Sequence, residues 1–262
     1  DPTNRRFHAE PIACPACGPK LTHTVAEIVD AIRAGKIVAV KGIGGFHLMC
    51  DARNETAVAE LRRRKLRDAK PFAVMVANAA SLDGVAVAGP VERDLFLSAA
   101  APIVVMDAVP GTLASGIAPG LGRIGVMRAY APLHHLIFRE AAGGEAAAFD
   151  REAANDLVLV ATSANPGGEP LVIDDADARR RLGRIGDLIV GHDRPIVIRA
   201  DDSVAQAIAG KPSLIRRAKG FAPNPVDLGS DGPVVLATGA HLKATVTVTR
   251  GREAFVSQHV GD

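Results

Sequence analysis

The densest group of side chains that could bind an anion is a run of cations that ends at Lys70. Lys65, Arg67 and Lys70 lie where a helix is expected to end and a buried strand to begin. Cations at such a junction can turn inward and bind phosphate oxygens through charged hydrogen bonds. A solvated helix face is the alternative interpretation, and it remains open for Arg62 and Arg63. The run predicts an anion clamp.

Two polar segments next to strand-like runs could supply further contacts to a phosphate or a nucleoside. Thr162, Ser163 and Asn165 follow an apolar run, and open α/β sheets bind ligands beyond the carboxyl ends of their strands. Lys41 precedes a glycine turn that includes Gly44, where backbone N–H groups can approach an anion. The alternatives are a helix N-cap at Ser163 and a hairpin turn with a solvated lysine at Lys41.

Two more charged clusters lie at predicted strand edges. Arg199 is followed by Asp201 and Asp202, and such acidic pairs are either metal ligands or solvated turns. Arg216 and Arg217 are consecutive, so in a strand they point to opposite faces and only one of them can face a shared pocket. Arg199 and Arg216 are therefore candidate ligand contacts.

Metal chemistry is indicated by Cys14 and Cys17, whose Cys-x-x-Cys spacing is typical of half a zinc ribbon. A tetrahedral zinc has four ligands, and the third cysteine, Cys50, lies in a strand-like run. His134 and His135 point about 100° apart on a helix, which argues against their binding one metal together. We predict a zinc half-site at Cys14 and Cys17 with its other cysteines upstream. An incidental turn is the alternative.

Two common nucleotide-binding motifs are excluded. The sequence Gly120-Leu-Gly-Arg-Ile-Gly125 matches G-x-G-x-x-G, but a dinucleotide fingerprint ends a strand and opens a helix. Here the glycines lie in a loop and precede a strand-like run. There is no Walker A sequence, so a bound nucleotide must be held in another way.

These candidate residues depend on alternating helical and strand-like segments for their positions. Thr24 and Glu27 form a capping box that opens a helix, Gly35 ends it, and Asn54 caps a second helix. That second helix is expected over 55–66, and further helices over 78–84, 90–98 and 132–141. Strands are expected over 36–41, 46–50, 72–76, 102–107, 124–128 and 157–160. The alternation predicts an α/β domain with a largely buried, mixed sheet.

This domain is expected to span residues 24–222. Residues 223–233 are rich in turn formers and predict a linker. The segment 234–262 contains strand-like runs, but about thirty residues cannot close a core alone. We expect it to begin another, truncated domain.

Composition limits the possible partners. The 262 residues are 48% hydrophobic and 23% charged, with a net charge of only +2, which excludes a strongly basic nucleic-acid protein as the first interpretation. With eight Phe, one Tyr and no Trp, few rings are available to stack on bases. No apolar run is long enough to cross a membrane, and no signal peptide is present at the start. We expect a cytoplasmic protein.

Taken together, these segments resemble the central part of the HypF family, the carbamoyltransferases of [NiFe]-hydrogenase maturation. The resemblance is collinear over nearly the whole chain. It is carried by Arg5-Arg-Phe-His8, Cys14-Pro-Ala-Cys17-Gly-Pro, Lys41-Gly-Ile-Gly-Gly-Phe-His-Leu48, Arg64-Lys65-Leu-Arg67, Lys70-Pro-Phe-Ala-Val-Met75, Pro132-Leu-His-His-Leu, Thr162-Ser-Ala-Asn165, His192-Asp-Arg194, Arg199-Ala-Asp-Asp-Ser203, Ile215-Arg-Arg-Ala218 and Ser257-Gln-His-Val-Gly-Asp262.

The resemblance implies a YrdC-like domain over residues 24–222, a twisted mixed sheet flanked by helices around a basic cavity that binds ATP. It further implies the end of a zinc-finger region in residues 1–23 and the start of the carbamoyl-transfer domain in residues 234–262. The chain departs from the family pattern at Arg128-Ala129, where Leu-Pro is expected, and at Ala164, where glycine is usual.

The implied activity is the ATP-dependent conversion of a carbamoyl group, from carbamoyl phosphate or carbamate, into carbamoyl-adenylate. Mg²⁺ would bridge the phosphates, and the longer protein would pass the group to the acceptor protein HypE. The resemblance assigns the catalytic role to Lys65 and Arg67. It assigns ligand contacts to Lys41, Gly44, Lys70, Thr162, Ser163, Asn165, Arg199 and Arg216. We expect Arg67→Ala to weaken ATP binding and Arg62→Ala to change it little.

Two other functions are compatible with parts of the sequence. A threonylcarbamoyl-adenylate synthase of tRNA modification shares the Lys-x-Arg and Ser-x-Asn elements, but Cys14-Pro-Ala-Cys17 and the Ser257–Asp262 tail argue against it. A non-catalytic RNA-binding module would use the cationic run, but the near-neutral charge and the few aromatic residues argue against it. Stimulation of ATP–pyrophosphate exchange by threonine would indicate the first, and a steep salt dependence of RNA binding the second.

Overall fold

The structure is a computed structural model, and it describes residues 18–143, 152–166, 169–240 and 244–259. Helices and strands alternate through most of this part of the chain. The helices are α1 (Val25–Arg33), α2 (Glu55–Lys65), α3 (Ala79–Leu82), α4 (Pro90–Leu97), α5 (Pro132–Ala141) and α6 (Asp175–Leu182), with a 3₁₀ turn at Ser115–Ile117. The strands are β1 (Val38–Lys41), β2 (Phe46–Asp51), β3 (Ala73–Val76), β4 (Ala86–Val87), β5 (Ile103–Ala108), β6 (Arg123–Arg128), β7 (Leu159–Ser163), β8 (Leu188–Val190), β9 (Val204–Ile208), β10 (Lys211–Arg216), β11 (Val226–Gly232), β12 (Leu236–Thr238) and β13 (Val246–Val256).

Ten strands form one mixed sheet, in the order β10-β9-β5-β6-β3-β7-β2-β1-β8, with β4 paired to β5. The pairs β1–β8, β3–β6 and β5–β9 are parallel, and the other pairs are antiparallel. This is the mixed α/β sheet that the alternation predicts. The three strands β11, β13 and β12 form a separate antiparallel sheet.

A hydrophobic core covers each face of the large sheet. On one face, Leu61 of α2 and Leu182 of α6 pack on residues such as Leu48 and Val160. On the other face, α1 and α5 pack on residues such as Met49. Side chains of a strand point alternately to the two faces, so each central strand is buried on both sides. In the central strands β1, β2, β3 and β7, polar side chains lie towards the strand ends, where the candidate site is found.

The predicted helix starts are confirmed. The Thr24 hydroxyl and the Glu27 carboxylate form both hydrogen bonds of the capping box at α1, and the Asn54 side chain accepts from the N–H of Ala57 at α2. The G-x-G-x-x-G sequence runs directly into β6 and opens no helix, so the rejection of a dinucleotide fingerprint is also confirmed.

The segment predicted as a linker, residues 223–233, contains strand β11. Its turn-forming residues fit into the strand because the register with β13 shifts between Asp227 and Gly232, and Gly229 takes a positive φ of 79° there. Glycine and aspartate at an irregularity of this kind are common. The turn-forming residues of this segment therefore mark a bulge in strand β11.

Of the described residues, no helix is long and apolar enough to cross a membrane.

Candidate functional site

The last turn of α2 meets the end of β7 at one edge of the large sheet. Helix α2 stops at Leu66, which adopts a left-handed conformation with φ of 51°, and the chain turns there. Lys65 is only 6% exposed. Its ammonium donates to the carbonyl of Ser163 at 2.8 Å and to the carbonyl and side-chain oxygens of Asn165 at 2.7 and 3.0 Å. An ammonium has three N–H bonds, so a phosphate oxygen would have to replace one of these three acceptors.

Arg67 lies beside this contact, and some of its N–H groups have no acceptor among the described residues. Its Nη1 donates to the Thr162 hydroxyl at 3.1 Å, its Nε donates to the Lys70 carbonyl at 3.0 Å, and its Nη2 donates to the Pro71 carbonyl. The guanidinium carbon lies 4.8 Å from the centre of the Phe72 ring. Described acceptors account for three of the five N–H bonds of a guanidinium. Arg67 is therefore a fixed cation that can still bind a phosphate oxygen.

Burial makes this positive charge costly in the absence of an anion. Burial first, and then the charges of Arg67 and Lys70, lower the pKa of Lys65 to about 7. Burial and then the charge of Arg62 lower the pKa of Arg67 to about 10. A bound anion relieves both penalties, because an opposite charge stabilises the protonated form.

The turn after β7 is organised by its own polar side chains. The Ser163 hydroxyl donates to Asn165 Oδ1 at 2.9 Å, and the Asn165 amide donates to the Glu169 carbonyl. The next helix, α6, begins only after Asp174, which caps it. The alternative role of Ser163 as an N-cap is therefore wrong. Thr162, Ser163 and Asn165 come together with Lys65 and Arg67 as the sequence predicts.

Lys41 and Gly44 have local structural roles. Lys41 is buried, which contradicts the solvated-lysine alternative, and its ammonium lies 2.5 Å from Asp175 and 2.9 Å from the carbonyl of His192. Asp175 neutralises the charge that Lys41 would otherwise offer to an anion. A Cβ on Gly44 would lie 2.3 Å from the Ala200 carbonyl oxygen, so close backbone packing explains this glycine.

The other predicted cations contact protein groups. Arg199 Nε donates to the Leu171 carbonyl at 2.8 Å, and Arg216 Nε donates to the Asp202 carbonyl at 2.8 Å. Arg217 donates to the carbonyl of Val256 at 2.8 Å, in β13. The two consecutive arginines thus engage different parts of the molecule, as strand geometry predicts. The side chain of Lys70 is exposed, and its carbonyl accepts from Arg67.

The described residues supply no complete set of metal ligands for the predicted zinc half-site or for the acidic pair Asp201 and Asp202. Cys14 and Cys17 lie outside them. Within them, no group of three His, Cys, Asp or Glu side chains could hold a metal ion. Asp201 lies 3.6 Å from Arg216 and 3.3 Å from His259, so this carboxylate is already paired with cationic or imidazole groups.

The solvated-face alternative for Arg62 is wrong, because this side chain is engaged by the protein. Its five N–H bonds reach five backbone carbonyls: Gly116 at 2.5 Å, Arg67 at 2.7 Å, Asp68 at 3.2 Å, and Lys70 and Ile117 at 3.3 Å. The guanidinium also lies 4.6 Å from the centre of the Phe72 ring. Helical periodicity could have revealed this, since Arg62 is four residues after the buried Val58. Arg63, by contrast, is 71% exposed along its side chain.

A buried polar cluster beside the site was not identified as a unit from the sequence. Asp202 lies 3.2 Å from Nε2 of His47 and 3.1 Å from the Lys219 ammonium. That ammonium lies 3.2 Å from the centre of the Tyr130 ring, which packs edge-on against His134 at 4.7 Å. Burial would raise the pKa of Asp202, but the hydrogen bond and charge of His47 and the charge of Lys219 hold it below its usual value. His134 is fully buried.

Family models match three consecutive parts of the chain. The Sua5/YciO/YrdC model, described as Telomere recombination, matches residues 30–218. A HypF finger model matches residues 1–24, and a HypF Kae1-like domain model matches residues 230–262.

Similar proteins extend this finding. Carbamoyltransferase HypF of Rhizobium leguminosarum bv. viciae is 58% identical over 92% of this chain and 31% of its own length. The crystal structure of full-length HypF in the phosphate- and nucleotide-bound form has a TM-score of 0.84 and 41% identity, covering 100% of this chain and 34% of that one. P. abyssi Sua5 complexed with L-threonine, with 20% identity and a TM-score of 0.60 over 74% of this chain and 54% of that one, shares the fold.

The chain spans about a third of the length of the HypF relatives that it matches. The Sua5/YciO/YrdC match covers most of the chain, and the finger and Kae1-like matches lie before and after it. The chain belongs to the Sua5/YciO/YrdC family, in the form that HypF carbamoyltransferases contain.

Proposed function

We propose that this chain binds ATP at the α2–β7 edge and activates a carbamoyl group as carbamoyl-adenylate. The observation that carries the proposal is Arg67, a half-buried guanidinium with unused donors beside Lys65 and the Thr162 hydroxyl. The similarity to HypF, including a structure described as phosphate- and nucleotide-bound, supports it.

The proposed step needs no nucleophilic side chain. A carbamate oxygen attacks the α-phosphorus of ATP, a new O–P bond forms, and the bond from that phosphorus to the bridging oxygen breaks, which releases pyrophosphate. The task of the protein is to hold the two reactants in line and to stabilise charge on the phosphoryl oxygens. Arg67 can do this directly, and Lys65 can do it after exchanging one of its three acceptors.

Mg²⁺ would supply further neutralisation of the triphosphate. The described residues contain no group of three carboxylate, imidazole or thiolate ligands for it, so we propose that the phosphates themselves hold the ion. In the longer proteins of this family, HypE would accept the carbamoyl group from a later step.

The test is ATP–pyrophosphate exchange catalysed by the intact chain. We expect exchange to depend on ammonium carbamate and to be unaffected by threonine. Exchange that depends on threonine would assign the chain to threonylcarbamoyl-adenylate synthesis. Failure of any acid to support exchange would contradict the adenylation proposal.

A further inference from the structure

The chain that follows β13 returns to the large sheet along a path fixed by hydrogen bonds. The N–H of Ser257 donates to the Val246 carbonyl at 2.9 Å, and the Ser257 hydroxyl accepts from the Val246 N–H at 2.9 Å. Arg217, which follows β10, donates to the Val256 carbonyl at 2.8 Å. The residues after Ser257 are therefore directed against the large sheet.

Gln258 and His259, the tail pair, contact the segment that carries Arg199. The Gln258 side-chain amide donates to the Arg199 carbonyl at 2.5 Å. Nε2 of His259 lies 3.3 Å from a carboxylate oxygen of Asp201, and these two side chains are 17% and 11% exposed. A polar contact that is shielded from water competes less with solvent. The tail pair thus holds the segment on both sides of Ala200.

The segment 199–201 depends on such contacts, because it lies in neither a helix nor a strand. From the opposite direction, the N–H of Ala200 donates to the Gly44 carbonyl at 3.0 Å. The Asp201 carbonyl accepts from the Lys219 N–H at 3.1 Å. A backbone without regular structure is fixed by the groups that satisfy its hydrogen bonds, and here the tail pair supplies part of them.

The side chain of Arg199 is held next to the phosphate site. Its Nε donates to the Leu171 carbonyl at 2.8 Å, and the next residue, Val172, donates its N–H to the carbonyl of Ala164 at 3.1 Å. Ala164 lies between Ser163 and Asn165, in the turn after β7 that Lys65 contacts. A guanidinium has five N–H bonds, and Leu171 is the described residue that accepts from Arg199. The remaining donors are open to a ligand at this turn.

We propose that Gln258 and His259 are positioning residues of the ATP site and act through Arg199. The inference rests on the proposed function, in which the open N–H groups of Arg199 donate to a phosphate oxygen of ATP. Gln258 fixes the backbone of Arg199 itself, and His259 fixes Asp201, two residues further on. The tail pair belongs to the part matched by the HypF Kae1-like model, residues 230–262, whereas Arg199 belongs to the Sua5/YciO/YrdC match, residues 30–218. One part would thus complete the site of the other.

A double-mutant cycle in the intact chain tests whether the tail pair acts through Arg199. By calorimetric titration, Arg199→Ala should weaken ATP binding by at least about tenfold, as for one charged hydrogen bond. Gln258→Leu and His259→Leu should each weaken it by about fivefold, as for one ordinary hydrogen bond. In the Arg199→Ala background, neither change should cause a further loss, because coupled residues are not additive. Arg252→Ala, which removes an exposed cation of β13 paired with Asp227, is the control.

Losses that multiply when Gln258→Leu or His259→Leu is combined with Arg199→Ala would overturn the proposal, since the tail pair would then act independently of Arg199. The proposal would also be overturned if both tail variants bound ATP as the unaltered chain does.

A measurement without nucleotide separates this inference from the proposed function. Hydrogen exchange of the Ala200 amide, followed by NMR, should be faster in Gln258→Leu and His259→Leu than in Arg252→Ala, because segment 199–201 opens more readily when its contacts are removed. Equal exchange in all three variants would overturn the positioning role. Faster exchange in a chain that binds no ATP would keep the contact between the tail pair and the segment and reject the nucleotide site.

Discussion

Lys65 carries a positive charge in a place where burial opposes it. Its pKa of about 7 is below the value of 10.5 for an exposed lysine, so between these pH values the folded protein binds fewer protons than the unfolded chain. The free energy of unfolding contributed by this group therefore increases as the pH rises from about 7 to about 10.5. An anion that binds next to Lys65 must raise this pKa again.

The first prediction is that ATP binding is coupled to proton uptake by Lys65. At about pH 8.5, where Lys65 of the ligand-free protein is mostly neutral, binding should take up a proton. Calorimetry in two buffers of different ionisation enthalpy measures this uptake. Lys65→Gln should abolish it, and Arg63→Ala should leave it unchanged. Proton release, or no exchange of protons by the unaltered chain, would contradict the account.

At the scale of single residues, the sequence predicted local arrangements better than contacts between residues that are far apart in the chain. Lys65 and Arg67 lie at a helix end, as predicted, because a helix end next to a buried strand is a local pattern; their binding of ATP stays a prediction. The contact between His47 and Asp202 joins residues 155 positions apart, and no spacing in the sequence indicates it. The ion pair between Lys41 and Asp175 spans 134 positions, and no spacing in the sequence indicates it either.

Among the elements, the connection between α2 and β3 depends on one side chain. Arg62 joins the last turn of α2, the loop that carries Arg67 and Lys70, and the 3₁₀ turn at Ser115–Ile117 through its carbonyl contacts. A cation that satisfies several backbone carbonyls fixes a loop that has little regular structure of its own.

The second prediction is that Arg62→Ala loosens this loop and weakens ATP binding by about 1 kcal/mol, the net contribution of a typical hydrogen bond. Hydrogen exchange should increase in residues 67–70, and calorimetry should show the lower affinity. Arg63→Ala, on the exposed side of the same helix turn, is the matched control. If both variants bind ATP like the unaltered chain, the loop that Arg62 holds does not contribute to ATP binding.

The fold was predictable where periodicity was strong. The capping residues Thr24 and Asn54 located α1 and α2, and the apolar runs located the central strands. Strand β11 was missed because a strand that contains a bulge uses the same glycine and aspartate residues as a loop. The order of the strands, which places β7 next to β2 and His47 opposite Ser163, comes from packing across the sheet and not from local sequence.

At the scale of the whole molecule, the third prediction concerns zinc. Cys50 is fully buried among the apolar side chains of the large sheet, and burial raises its pKa to about 12, so a zinc ion from solution has no access to it. Cys14 and Cys17 remain, two ligands where zinc needs four. The chain should carry well under one tightly bound zinc per molecule in metal analysis. A full equivalent that is lost in Cys14→Ser would show that other residues complete the site.

The fourth prediction separates activation from transfer. Among the described residues of the three-stranded sheet, Ala254 is a buried apolar residue, whereas every residue of β11 and β12 is exposed. Such a sheet offers no enclosed site for an acceptor thiol. We expect this chain to form the adenylate and to leave HypE unmodified in a mass-shift assay. Carbamoylation of HypE by this chain alone would contradict this separation of activation from transfer.

The central claim is that Arg67 binds the phosphates of ATP, and calorimetric titration of Arg67→Ala against Arg63→Ala tests it most directly. Loss of a charged hydrogen bond predicts that Arg67→Ala weakens ATP binding by about 1.5–3 kcal/mol, whereas Arg63→Ala, which removes an exposed cation from the neighbouring helix turn, should bind as the unaltered chain does. Equal weakening in both variants would show that diffuse charge, and not a specific site, attracts the nucleotide. No ATP binding by the unaltered chain would contradict the site itself.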